Sequence, residues 1–420
     1  MASALDWAKL LVSLDTTSRG SNLELINVVS KELQRHGLTP IVLPNDDGTK
    51  ANLVVTIPAR GDHIDGGIVL SGHTDVVPVD GQDWDTSPFT PQIRDGRLFD
   101  RGTCDMKSFI GIILATLPNL ARAPLREPVH IVLSYDEEVG CLGAAKMVQE
   151  LAELGVRPTT CIVGEPTRMR VTCGHKSVNP LELTVHGVAT HSSLTPQGVN
   201  AIEYASRAIG FIRSLAEELR REGPYDEAYD VPYTTASVNL VDGGTAGNIV
   251  ADRCRAQFEF RSLAAVHPDK VRARIQAYCD DLQDSMRQEN TQARVELRTL
   301  AMVPGLDTGG ASPAVRLGAV LGGIPSANKV TYGTEAGLFQ AAGIETIVCG
   351  PGDIRQAHAA NKFVELDQIR ACETFLDNLV LHLSTPSLIT NHCWARRTPS
   401  LTVPPACHHN PHRWQAVVHP

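Results

Sequence analysis

The stretch SGHTDVVP holds an imidazole and a carboxylate two residues apart, His73 and Asp75. In extended backbone, residues i and i+2 leave on the same face. An imidazole beside a carboxylate is how a metal-ligating histidine is commonly held in orientation. GTCDMK places Asp105 in a Gly-containing loop just ahead of a helix, where the ordinary role of an aspartate is an N-cap. SYDEEVGCLGA sets Asp136, Glu137 and Glu138 in a row after the apolar run VHIVL. GEPT puts Glu165 at the end of TCIVG, and CGPGDIRQAH puts His358 in a Gly- and Pro-rich loop after another apolar run. Each has a bland reading by itself: a polar strand end, a cap, a solvated loop side chain. Together they say more. His73, Asp105, Glu138 (or Glu137), Glu165 and His358 follow separate strand ends, where open α/β sheets bind ligands. Two imidazoles and three carboxylates suit a pair of divalent ions, most simply Zn²⁺. One carboxylate would bridge, and ions roughly 3.5–4 Å apart would clamp a water and a carbonyl oxygen. The spare glutamate suits a general base.

The elements that must position these groups are legible in the apolar pattern. LVVTI (53–57), GIVLSG (67–72), VHIVLSY (129–135) and TCIVGE (160–165) read as strands buried on both faces, with helical patterns at 107–120 and 142–154. That texture predicts a largely parallel sheet in an α/β fold. A capped helix is expected over 22–36, with Ser21 as N-cap and Gly37 as stop. Near Ser177 the texture changes. Residues 181–187, 234–241 and 251–262 alternate as strands with one wet face, around a long helix at 199–222 and another that starts at His267-Pro268. From about Pro304 the buried α/β style resumes, with helices near 311–321 and 334–342, the strand ETIVCG (345–350) and a last helix over 365–383. The middle therefore reads as a domain inserted into the first. After Ser384 the chain is rich in Pro, His and Cys without periodicity, and it reads as a disordered tail despite the metal-capable CHHNPH (407–412).

Bulk properties narrow the function. The 420 residues suffice for two domains, and a formal net charge of −9 opposes nucleic acid and anionic membranes. No run is apolar over the ~18 residues of a transmembrane helix. The N-terminal MASALDWAKLLVSLD has no basic leader and reads as an amphipathic helix. Ten cysteines without any CxxC suggest reduced thiols in a cytoplasm rather than a disulfide scaffold.

The ordered set GHTDVVP, W..SPF, DGRLFDRGTCDMK, a strand ending in EE, GEPT and a late GPG…AH resembles the co-catalytic zinc aminoacylase/carboxypeptidase family, from about Ala4 to Leu383. The resemblance implies an α/β catalytic domain with a mostly parallel mixed sheet (1–176 and 296–384), interrupted by a smaller α+β lid that dimerises (177–295), ahead of the tail at 385–420. It implies two Zn²⁺ per subunit, with Co²⁺ as a substitute, and hydrolysis of the amide of a small N-acyl amino acid. His73, Asp105 and Glu165 would hold one zinc, and Asp105 would bridge to a second held by Glu138 and His358. Asp75 would orient His73, and Glu137 would be the general base. His191 would stabilise the oxyanion, in its own or the partner's site. Asn248 and Arg261 would contact the substrate's carboxylate. The chain departs from the family pattern at Asp100, Ser108 and Ser177, where glycine is usual.

Overall fold

The structure is a computed structural model and describes residues 2–357 and 359–385. Its main sheet runs, in spatial order, Ile41–Pro44, Ala51–Ile57, Val129–Ser134, Ile68–His73, Thr160–Pro166, Glu345–Gly350. The last four strands are mutually parallel, while the first two junctions are antiparallel. The mixed, mostly parallel sheet expected from the apolar runs is thus present.

The physical reason lies in which side chains alternate. Leu53, Val55, Ile68 and Leu70 face a core shared with the helices Ala4–Val12, Leu23–Arg35, Ser108–Arg122 and Leu366–Ser384. Val54, Val69 and Val132 face a second core shared with Leu142–Glu153 and Ala336–Ala341. Every residue of Ile68–His73, Val129–Ser134 and Thr160–Pro166 is buried. A strand covered on both sides is apolar along most of its length, which is why these runs lack a regular polar alternation.

A four-stranded antiparallel sheet follows in the order Thr235–Gly243, Arg253–Arg261, Asn179–His186, Arg294–Thr299. One face packs Leu181, Leu183, Phe258 and Phe260 against the helices Ala201–Glu222 and Pro268–Glu289. The chain enters this region at Val178 and leaves it at Val303, and these two residues exchange backbone hydrogen bonds of 3.0 and 2.9 Å.

Some local expectations shift. Asn22, not Ser21, stands at the N-cap of the second helix, although the Ser21 hydroxyl accepts from the Leu23 N–H at 3.2 Å. Gly37 has φ +76°, the left-handed conformation that stops helices. The second sheet runs past residue 295, because RVELRT forms its last strand. That short strand carries charge on its wet face and so escaped the apolar pattern. Among the described residues no helix is long and apolar enough to cross a membrane, and the eight cysteines are buried thiols. The CHHNPH tail lies outside the described residues.

Candidate active site

Parallel strands end together on one edge of a sheet, and that edge gathers the carboxylates. His73 is the last residue of its strand and is fully buried. Its Nε2 lies 2.9 Å from Asp105 Oδ1 and 3.5 Å from Glu165 Oε1. Its Nδ1 lies 3.0 Å from the Asp75 carbonyl oxygen. Asp105 is no N-cap. It sits in the tight irregular turn Thr103–Lys107, ahead of a helix that has no side-chain cap, and its carboxylate turns to His73 instead. Glu165, next to last in its strand, has no slack behind it, since a β-carbon on Gly164 would fall 2.1 Å from the Phe109 ring.

Asp75 does more than orient an imidazole. Its carboxylate also accepts from the Ser18 hydroxyl at 2.7 Å and from the backbone N–H groups of Glu137 and Glu138 at 3.0 and 3.2 Å. The acidic step after Ser134 is therefore held from beneath by another acid, through its main chain. Asp136 is a structural ion pair. Lys50 Nζ donates to both of its oxygens, at 2.6 and 2.8 Å, and Asp136 turns the chain with φ +54°. Cys141 Sγ–H donates to Glu137 Oε1 at 3.4 Å.

The candidate ligand atoms of His73, Glu137 and Glu165 lie within 4.8 Å of one another, as do those of His73, Asp105 and Glu138. Four carboxylates share this space. Burial pushes the Glu137 carboxyl up to about 8, opposed by His73 and reinforced by Glu138 and Asp105. Burial, then Asp105, raises Glu165 well above the usual carboxylate range. Burial would lower His73, yet its hydrogen bonds to Asp105 and Asp75 hold it well above the ordinary imidazole range. Each shift is a demand for positive charge at one point. A divalent ion with nitrogen and oxygen ligands meets that demand, so the donor set fits metal.

The cavity over these groups is lined by Asp105, Glu137, Glu138, Glu165, Tyr332 and Arg261. Arg261, at the end of its strand in the second sheet, thus lines the same cavity as the carboxylates, and its Nε donates to Glu259 at 3.1 Å. His191 and Asn248 are exposed and do not line this cavity; they adjoin each other, with the Ser192 N–H donating to the Asn248 carbonyl at 3.0 Å. His358 lies outside the described residues.

A model of the peptidase family M20/M25/M40 matches residues 69–382. The chain belongs to the M20/M25/M40 family. Acetylornithine deacetylase from Myxococcus xanthus is 32% identical over 375 residues, covering 89% of this chain and 95% of that protein. The enzyme of the same name from Pasteurella multocida is 31% identical over 382 residues, covering 90% and 96%. Among solved structures, an M20 family metallo-carboxypeptidase from Sulfolobus solfataricus superposes with a TM-score of 0.70 at 18% identity, covering 90% of this chain and 99% of that one. A dinuclear metal-binding M20 peptidase from Bacillus subtilis gives 0.60 at 16% identity, covering 91% and 98%. M20/M25/M40 membership makes the chain a hydrolase of amide bonds, with a site whose residues can bind metal.

Three positions at which the sequence resemblance leads to an expectation of glycine carry other residues. Asp100 is buried at φ +153°, with Oδ2 lacking a partner. Ser108 is buried with an unpartnered hydroxyl. Ser177 is put to use: its Oγ accepts from the Ser262 N–H and from Asn179 Nδ2, both at 2.7 Å, beside the Ser262 hydroxyl at 2.7 Å.

Proposed function

We propose that this chain hydrolyses N-acetyl-L-ornithine to L-ornithine and acetate, using a pair of divalent ions, Zn²⁺ with Co²⁺ as a substitute. The observation that carries the reading is a pair of overlapping metal-capable groups that share His73, one with Asp105 and Glu138 and the other with Glu137 and Glu165. The length and naming of the 31–32% identical relatives support the substrate. So do the runs GEPTRMRVTCGHK and YGTEAGLFQAAGIETIVCGPGDIRQAH, which resemble acetylornithine deacetylase.

His73, Asp105 and Glu165 would hold one ion, and Asp105, Glu138 and His358 the other. When bound, the ions polarise the acyl carbonyl and bring water's pKa toward ~7. Glu137 takes a proton from the attacking water as the water oxygen bonds to the acetyl carbon. It returns that proton to the ornithine nitrogen as the C–N bond breaks, so one water is consumed and acetate and amine are released. Asp75 keeps the His73 ring and the Glu137–Glu138 backbone in register throughout. Arg261 and Asn248 bind the substrate's carboxylate.

His191 supplies the oxyanion donor, from the partner subunit of a homodimer. The edge strand Thr235–Gly243 supports a dimer through the 177–295 lid. It is paired on one side only and exposes Leu240 and Val241, and Ile249, a few residues further along, is exposed as well. Buried thiols support a cytoplasmic setting.

The deciding experiment offers zinc-loaded protein acetylornithine, acetylmethionine, succinyl-diaminopimelate and dipeptides. Acetylornithine should be hydrolysed with the highest kcat/KM. A higher value for another compound would reassign the substrate. Zinc-free protein that will not reload would overturn the reaction.

A further inference from the structure

One buried acid has no part in that reaction. Glu335 is 0% exposed, just before the short helix Ala336–Ala341. The Ser71 hydroxyl donates to its Oε1 and the Ser134 hydroxyl to its Oε2, each at 2.6 Å. Those serines are not incidental. Ser71 lies two residues before His73, on the same face of the same strand. Ser134 is the cross-strand partner of His73 and is followed by the chain that carries Glu137 and Glu138. One carboxylate therefore grips two of the strands whose ends bear the metal-capable groups.

On its other side Glu335 continues into the cavity wall. Tyr332 and Gly333 line the cavity with Glu137 and Glu165. Gly333 is pressed against the crossing into the second sheet, since a β-carbon there would fall 2.2 Å from Val178 Cγ2. The wall is thus clamped between Val178 and the Glu335 anchor.

Burying the Glu335 carboxylate completely carries a desolvation cost, which two short charge-assisted bonds only partly offset. An apolar residue would pack this layer without that cost. What the carboxylate adds is a fixed distance between floor and wall. We propose that Glu335 is a positioning residue: through Ser71 and Ser134 it sets the Tyr332–Thr334 wall against the strand ends bearing His73 and Glu137. The proposal rests on the hydrolytic reading for its kinetic test but not for its metal test.

Three variants separate position from charge and from bulk stability. Glu335→Gln can satisfy both serines, accepting from one and donating to the other, so it should keep wild-type KM and zinc retention. Glu335→Asp is one methylene too short, and Glu335→Ala removes the contact. Both should raise KM about tenfold or more, as misplacements of the order of 1 Å do, and release zinc to a chelator about tenfold more readily. A merely structural role would lower Tm and the active fraction while leaving KM unchanged. Unchanged KM and zinc retention in Glu335→Ala or Glu335→Asp would overturn the proposal, as would Glu335→Gln as impaired as Glu335→Ala. If wild-type protein hydrolyses nothing in the panel, the reaction fails alone, and chelator competition still decides the role of Glu335. Wild-type protein that takes up no zinc overturns both.

Discussion

At the scale of single residues, Glu137 and Asp100 show what burial does to an acid with and without a task. Glu137→Gln keeps shape and loses the proton acceptor, so kcat should fall about 10²–10⁴-fold with zinc content unchanged by mass spectrometry. Near wild-type turnover would remove Glu137 from the mechanism. Asp100 has no evident task. Burial raises its carboxyl to about 6, its Oδ2 has no partner, and φ +153° suits glycine. Because the folded pKa lies above the unfolded 3.8, its favourable contribution is present below that value and is lost as pH rises through about 6. Asp100→Gly should therefore raise Tm, and raise it more at pH 7 than at pH 4; the expected gain at neutral pH is roughly 1–3 kcal/mol. An equal or negative change at both pH values would contradict this account. His73 and Glu165 could be singled out in the sequence because each closes an apolar run. The supports could not. Asp75 meets Glu137 across 62 positions and Glu335 meets Ser71 across 264, and no local pattern encodes such pairs.

At the scale of elements, the crossing between the two sheets is held by the Ser177 hydroxyl. Ser177 Oγ satisfies the Ser262 N–H and the Asn179 amide, both buried. Ser177→Ala leaves the Ser262 N–H unpaired and the Asn179 amide with only its bond to the Phe260 carbonyl, and should cost about 1–3 kcal/mol, seen as a lower urea midpoint. A shift under a few tenths of a kcal/mol would mean that water replaces the hydroxyl. Elements buried on both faces were the most legible, since a run such as VHIVL admits few other roles. Edge strands were the least: Ile41–Pro44 is mostly exposed, and Arg294–Thr299 alternates but offers only Val295 and Leu297 as apolar positions, too short a run to stand out. The one-sided edge at Thr235–Gly243 also bears on assembly. Val241, 53% exposed there, should tolerate aspartate as a fold but not as a dimer contact, so Val241→Asp should elute as a monomer by light scattering. A Val241→Asp protein with unchanged mass would rule out this edge as the interface.

At the scale of the whole molecule, the crowded carboxylates couple metal to stability. Glu137 and Glu165 have folded pKa values raised above the unfolded value of 4.5, the former to about 8. Metal-free protein should accordingly lose stability as pH rises from 6 to 8, and zinc should restore most of it while releasing protons. Scanning calorimetry with and without chelator reads this directly, and a metal-free Tm that climbs over that range would refute it. Time of synthesis adds a further consequence of the topology. The second sheet draws all its strands from residues 179–299, so it can be completed while the ribosome still holds the remainder. The main sheet cannot. Its Glu345–Gly350 strand pairs with Thr160–Pro166, and the Glu335 anchor follows everything it must hold. Until then the acids of three finished strands stand without their clamp. Assembly of the reactive centre is deferred to the final fifth of the chain, and slow, long-range closure of this kind is where chaperone dependence is expected.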